Sequence, residues 1–128
     1  MTPVYKTDLG ASKQAYCMIN GKSIKFVGFQ IGDGGCRNGQ VLTVNRSDTI
    51  LSNKIAEFDE NNMTVEVVDG ISIKITCSFQ ASEVASNTIS NIGIIAQVVG
   101  ENEPFLYCIG NFTQIPVGDI SISVTINN

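Results

Sequence analysis

Four cysteines, Cys17, Cys36, Cys77 and Cys108, carry the only obvious covalent chemistry in this chain. They lie 19, 41 and 31 residues apart, with no Cys-x-x-Cys pair. Zinc knuckles and thioredoxin-type redox motifs need that close pair, so both are excluded. Two roles stay open. A free thiol can pack in the core as a small hydrophobe. Alternatively, some of the four can pair, within or between subunits, once the protein has left a reducing cytoplasm. Cys36 stands beside Arg37, and a neighbouring cation favours the thiolate; the plainer expectation is a structural loop cysteine. The chain has no His. Serine-histidine and cysteine-histidine nucleophiles, and every histidine-containing metal site, are therefore ruled out within it.

Two further clusters deserve weighing. Gly32-Asp33-Gly34-Gly35-Cys36-Arg37-Asn38-Gly39 is the densest glycine run. A phosphate loop needs Lys-Ser/Thr close behind the glycines, and a dinucleotide loop needs G-x-G-x-x-G opening a helix. Neither is present, and a tight turn after a strand ending at Ile31 is expected. Glu57, Asp59 and Glu60 form an acidic knot ahead of Asn61-Asn62. A calcium loop spaces its oxygen ligands at fixed alternate positions and closes on Glu. That order is missing, so a solvated turn is expected. Carboxylates distant in sequence can meet in space for acid-base work, but nothing local marks such a pair. No catalytic, cofactor-binding or metal-ligating residue is assigned, and the chain is not expected to be an enzyme.

The elements that would position these residues read as strands. The chain holds 17 Ile and 12 Val against 4 Leu, and β-branched residues fit pleated sheets. Ile120, Ile122, Val124 and Ile126 alternate with Ser121, Ser123 and Thr125, which predicts a strand with one apolar and one hydroxyl-bearing face. Met63, Val65 and Val67 alternate, as do Ile71, Ile73, Ile75, Cys77 and Phe79. A three-residue turn with a bulge at Gly70 would pair Val67 with Ile71 and Val65 with Ile73, putting both apolar sets on one face. Residues 88–99 and 105–112 read as another pair joined by the polar turn Gly100–Pro104. Their near-continuous apolar character predicts burial on both faces, with Gly93 at a bulge or close approach. Ile24–Ile31 is a further strand. One helix is predicted, Asp8–Ile19, with Thr7 or Asp8 as N-cap and Gly21 just past its end. Residues 32–62 look loop-rich.

The 128 residues fit a single domain, 1–128. Its 43% hydrophobic and 16% charged residues mark a globular rather than a disordered chain. A formal net charge of −4 with scattered basic residues argues against nucleic-acid binding. The opening Met1-Thr2-Pro3-Val4-Tyr5-Lys6 lacks an apolar segment behind a basic start, so no secretory signal is expected. No window of about 18 apolar residues exists, so no membrane span is expected. The three Asn-x-Ser/Thr triplets, at Asn45, Asn62 and Asn111, are then accidents of composition. The fold class expected is mainly β (α+β), an antiparallel β-sandwich-like domain with one short N-terminal helix.

The order of segments resembles the N-terminal, baseplate-attachment domain of bacteriophage tail-fibre and tail-collar proteins. That family opens with a short helix and a strand running into a glycine-aspartate-glycine turn, as in Asp8–Ile19, Ile24–Ile31 and Gly32-Asp33-Gly34-Gly35. A leucine-asparagine step resembles Leu51-Ser52-Asn53-Lys54-Ile55. A threonine-isoleucine to isoleucine-glycine-leucine strand is similar to Thr88-Ile89-Ser90-Asn91-Ile92-Gly93-Ile94, with Ile94 in place of leucine. A glycine-asparagine-aromatic ending resembles Cys108-Ile109-Gly110-Asn111-Phe112. The family's arginine-glutamate before the isoleucine-glycine step is here Ser90-Asn91. A fibre would also continue into a shaft and a receptor-binding tip, and a chain of this length is expected to be the attachment region alone. The resemblance implies a virion structural protein of a phage tail, a baseplate or tail-fibre adapter subunit made in the host cytoplasm. It would bind other tail, baseplate or fibre proteins and form homo-oligomers in multiples of three or six. The alternative is a small receptor- or carbohydrate-binding β module at the particle tip.

Overall fold

The computed structural model describes residues 3–70 and 72–127. Its elements are β1 (Tyr5–Lys6), α1 (Asp8–Asn20), β2 (Ile24–Gly32), β3 (Cys36–Arg37), β4 (Gln40–Val41), β5 (Lys54–Asp59), β6 (Met63–Val68), β7 (Ser72–Phe79), β8 (Thr88–Val98), β9 (Pro104–Pro116) and β10 (Ile120–Asn127). All strand pairings are antiparallel. A five-stranded sheet runs β1-β9-β8-β2-β5, a three-stranded sheet runs β10-β7-β6, and β3-β4 form a small ribbon. The fold is thus a mainly antiparallel, sandwich-like α+β architecture with one helix.

The helix begins and ends where its caps dictate. Thr7 Oγ1 accepts the Gly10 N–H at 2.9 Å, and Gly21 stops the helix in the left-handed conformation at φ +64°. Thr7 also ties the helix to the large sheet by donating from Oγ1 to the Leu106 carbonyl at 2.7 Å.

The main core lies between the two sheets. Phe29, Ile31, Ile92, Ile94 and Val98 meet Ile75, Cys77, Phe79 and Val124, all buried, and Cys17 of α1 joins them. Phe58 stacks on Phe29 at 5.0 Å and on Phe79 at 5.4 Å, carrying aromatic packing from one sheet to the other. The large sheet buries its opposite face as well. There Leu51, from the long segment between β4 and β5, packs on Ile95, Leu106 and Ile109. This two-sided burial explains the nearly uninterrupted apolar reading of β8 and β9. Gly93 marks a close approach: a Cβ there would sit 2.6 Å from a Leu106 methyl. The register of β8 on β9 shifts twice, between Ile89 and Asn91 and between Ile94 and Ile95.

Three sequence expectations need correction. β5, with the short β3 and β4, lies in the segment 32–62 that read as loop-rich. β5 carries Glu57 and Asp59, so the acidic knot is half strand, with Glu60 opening a short 3-10 turn. The β6–β7 register also differs. Val67 pairs with Ile73 and Val65 with Ile75, not with Ile71 and Ile73; Ile71 itself lies outside the described residues. The turn has moved one residue along. Asp69 and Gly70 take left-handed backbone at φ +53° and +71°, while β-branched Val68 stays in the strand, where it fits. Parity is kept, so both apolar sets still share one face.

The turn geometry sets a clear expectation. Gly70→Val should lower stability by more than about 1 kcal/mol, since a β-branched residue is strained at φ +71°. Gly70→Asn should be nearly neutral. Thermal melts of the two variants against the parent check this, and equal melting temperatures for all three would contradict the turn.

Candidate interaction surface

The segment from Asp33 to Asn53 crosses the outer face of the large sheet and is held there mainly by polar side chains of β8 and β9. Ser90 and Asn91 are 0% and 1% exposed. Ser90 Oγ accepts the Gly35 N–H at 2.9 Å. Asn91 donates from Nδ2 to the Ser52 carbonyl at 2.9 Å, and its Oδ1 accepts the Gly34 N–H at 3.4 Å. Asn111 donates to the Leu42 carbonyl at 2.9 Å, and the Leu42 N–H returns to the Gly35 carbonyl at 2.8 Å. A buried amide or hydroxyl without a partner costs 1–3 kcal/mol as an order of magnitude, so roughly that much rests on each anchor.

The glycine run makes this approach possible. A Cβ on Gly35 would lie 2.1 Å from the Ser90 carbonyl oxygen, and one on Gly34 would lie 2.5 Å from that of Ser52. Glycine is required by contact here and not by backbone angle. The cluster that could have cradled phosphate is a packing surface. Gly32–Gly35, Leu51–Asn53, Ser90-Asn91 and Gly110-Asn111, distant in sequence, meet in this one place.

Asp33 closes the clamp at its rim. Its carboxylate accepts Thr88 Oγ1 at 2.8 Å and Gln114 Nε2 at 3.0 Å. Desolvation works against the ionised form, yet the hydrogen bonds from Thr88, Gln114 and Ser90 together hold its carboxyl below the usual range. These groups satisfy one another, since Gln114 also donates to Thr88 Oγ1 at 3.1 Å.

The other sequence candidates are dispersed. Glu57 pairs with Lys54 at 3.5 Å, and Asp59 caps the turn by accepting the Asn61 N–H at 2.9 Å. Among the described residues, no three His, Cys, Asp or Glu side chains converge into a metal-sized cluster. Among the described residues, no helix is long and apolar enough to cross a membrane. All four cysteines are free thiols, with Cys36 half-buried on β3 and the others buried. Burial pushes Cys77 and Cys108 up to about 12.

Several large apolar side chains stay exposed among the polar surface. Val65 and Val67 on β6 are 47% and 70% exposed, and Met18 on α1 is 79% exposed. Val67 sits opposite Ile73, and Ile73 lines a groove of about 230 Å³ with Cys17, Met18, Ile24, Phe26 and Tyr107, edged by Gln14 and Lys22. These residues form one band running from the helix across to the edge of the small sheet. β6 and β10 are the two outer strands of that sheet, each paired on one side only, with β7. Edge strands offer unpaired backbone groups to a further strand, and charge is the usual guard. β10, Ile120–Asn127, contains no charged residue.

No known protein family, curated protein or solved structure matches this chain. The functional reading therefore rests on its own surfaces. The exposed band was visible in sequence only as alternation, which marks an apolar face but not what covers it. The final strand's Ile122, Val124 and Ile126 are buried, whereas Val65 and Val67 are not.

Two measurements check this geometry. Asn91→Ala should cost about 1–3 kcal/mol in a denaturant melt and make residues 36–50 more sensitive to protease than in the parent; an unaltered melt and digest would remove Asn91 from its anchoring role. The thiols predict an alkaline weakness. An acid whose folded pKa is raised is fully stabilising below its unfolded value of 9.0, and that stability falls as pH climbs toward about 12. The parent should lose roughly 1 kcal/mol per thiol by pH 10, and Cys77→Ala/Cys108→Ala should show a shallower decline. Parallel stability curves for parent and variant from pH 8 to 11 would count against it.

Proposed function

We propose that this protein is a virion structural component of a phage tail, a baseplate or tail-fibre adapter subunit that binds neighbouring tail proteins. The observation that carries the reading is the uncovered band of Met18, Ile73, Val67 and Val65 beside the open edge of β6. An apolar surface joined to a free strand edge suits protein–protein contact, where apolar burial supplies affinity and edge hydrogen bonds fix register. Repetition in a symmetric particle strengthens such contacts, because each bond formed raises the effective concentration for the next. Four of the segments that resemble the tail-fibre attachment domain, Gly32–Gly35, Leu51–Ile55, Thr88–Ile94 and Cys108–Phe112, meet around the Ser90-Asn91 clamp, although Ser90-Asn91 are themselves where the chain departs from that family. On this reading the chain is made in the host cytoplasm, resides in the virion and does no catalysis.

Quantitative mass spectrometry of purified particles tests the proposal. Copies per tail in multiples of three or six are expected. Absence from the particles overturns it. The band itself is tested by Met18→Lys/Val67→Lys. Because both side chains are exposed, the monomer's melt should move by no more than about 0.5 kcal/mol, while incorporation into particles should fall sharply. Unimpaired incorporation would show that the contact surface lies elsewhere.

A further inference from the structure

Four steps in the chain place a glycine directly after Asn or Asp: Asn20-Gly21, Asp33-Gly34, Asn38-Gly39 and Asp69-Gly70. In such a step the glycine nitrogen can attack the side-chain carbonyl carbon that precedes it, because no Cβ on the glycine crowds the approach or limits the backbone. The reaction needs that nitrogen unengaged, the side chain free to rotate and the local backbone able to leave its folded geometry. The four steps meet these needs very unequally.

Three of them are restrained. At the end of α1 the Gly21 N–H donates to the Cys17 carbonyl, and Asn20 Nδ2 donates to the Tyr16 carbonyl at 2.9 Å. At Asp33 the carboxylate is held by Thr88 and Gln114, and the Gly34 N–H donates to Asn91 Oδ1. Asp69-Gly70 is an exposed left-handed turn, but its side chain is a carboxylate. An ionised carboxylate resists attack by an amide nitrogen far more than a carboxamide does.

Asn38-Gly39 is different on every point. The two residues form the whole turn between β3 and β4, at φ +52° and +79°, and both are exposed. Among the described residues nothing hydrogen-bonds the Asn38 side chain or the Gly39 N–H, and no atom lies within 4 Å of where a Gly39 Cβ would stand. The ribbon beneath is paired only at Cys36–Val41 and Arg37–Gln40, so the tip can open locally while the β scaffold stays closed. We infer that Asn38 is a site of spontaneous covalent conversion in the folded protein, through a succinimide to aspartyl and isoaspartyl residues. The Gly39 nitrogen gives its proton to hydroxide and bonds to Asn38 Cγ; the Cγ–Nδ2 bond breaks and ammonia leaves. Water then opens the ring at either carbonyl. The product adds a negative charge beside Arg37. In the isoaspartyl form it also adds a methylene to the main chain of a turn whose two-residue length sets the β3–β4 register. The tip is thus a one-way chemical switch, independent of the tail-subunit reading.

Incubation of the full chain at mildly alkaline pH tests this, read by peptide mapping with mass spectrometry that separates aspartyl from isoaspartyl products. Heavy-oxygen water marks each ring opening. In the folded chain Asn38 should convert at least about tenfold faster than Asn20, the ratio that one retained hydrogen bond of ordinary strength sets. In denaturant the two asparagines should convert at similar rates, since both precede glycine and only the fold separates them. Asn38→Gln should abolish the acidic isoform that accumulates on isoelectric focusing, because the longer side chain would have to close a larger ring. Equal rates at Asn20 and Asn38 in the folded chain overturn the inference, as does conversion of Asn38 in denaturant alone. A product without any isoaspartyl form overturns the succinimide route, and persistence of the acidic isoform in Asn38→Gln overturns the assignment to this residue.

Discussion

Two buried polar side chains on one strand decide how this molecule is arranged. Ser90 and Asn91 sit in the middle of the large sheet, where neighbouring positions are isoleucine. Burying them there is tolerable only because the backbone of Gly34, Gly35 and Ser52 supplies their hydrogen-bond partners. The dependence is mutual. The loop has few strand pairings of its own and is held in place by those side chains, while Leu51 enters the outer apolar cluster only once the loop is held. The glycines follow from the same requirement, since any Cβ on Gly34 or Gly35 would collide with the carbonyls that the loop crosses.

From this one constraint the two faces of the large sheet acquire different characters. The inner face is an apolar contact with the small sheet and the helix, in which β-branched residues and stacked phenylalanines interlock. The outer face is a mixture in which a few directional bonds place a long irregular segment. On that outer side the Arg46 guanidinium of the loop lies 5.3 Å from the Tyr5 ring centroid of β1. The apolar band arises at the opposite limit, where β6 extends its valines beyond what α1 and the large sheet can cover.

The sequence disclosed those elements whose residues carry a period or a cap. Thr7 and Gly21 delimit α1 because their chemistry is local, and the Ile/Ser alternation of β10 follows from the pleat alone. β8 and β9 were recognisable because burial on both faces leaves an apolar run. β5 escaped because Lys54-Ile55-Ala56-Glu57-Phe58-Asp59 mixes charge into an edge strand, where one side meets water. The β6–β7 register slid because a turn is chosen by competition among adjacent residues for left-handed backbone, and Asp69 competes better than Val68. The clamp was visible only as short segments and as an apparent departure at Ser90-Asn91, since hydrogen bonds across 39 to 57 residues leave no periodic trace.

The loop is secured through its backbone at Gly34, Gly35, Leu42 and Ser52, and through the side chains of Asp33, Val44 and Leu51. Most of its remaining side chains are not needed to hold it. Such a segment can drift in sequence, or accept an inserted peptide at the Asn38-Gly39 tip, while the β scaffold beneath keeps its hydrogen bonds. The domain thereby separates a conserved-by-physics frame from a surface open to diversification, the division of labour on which display scaffolds are built.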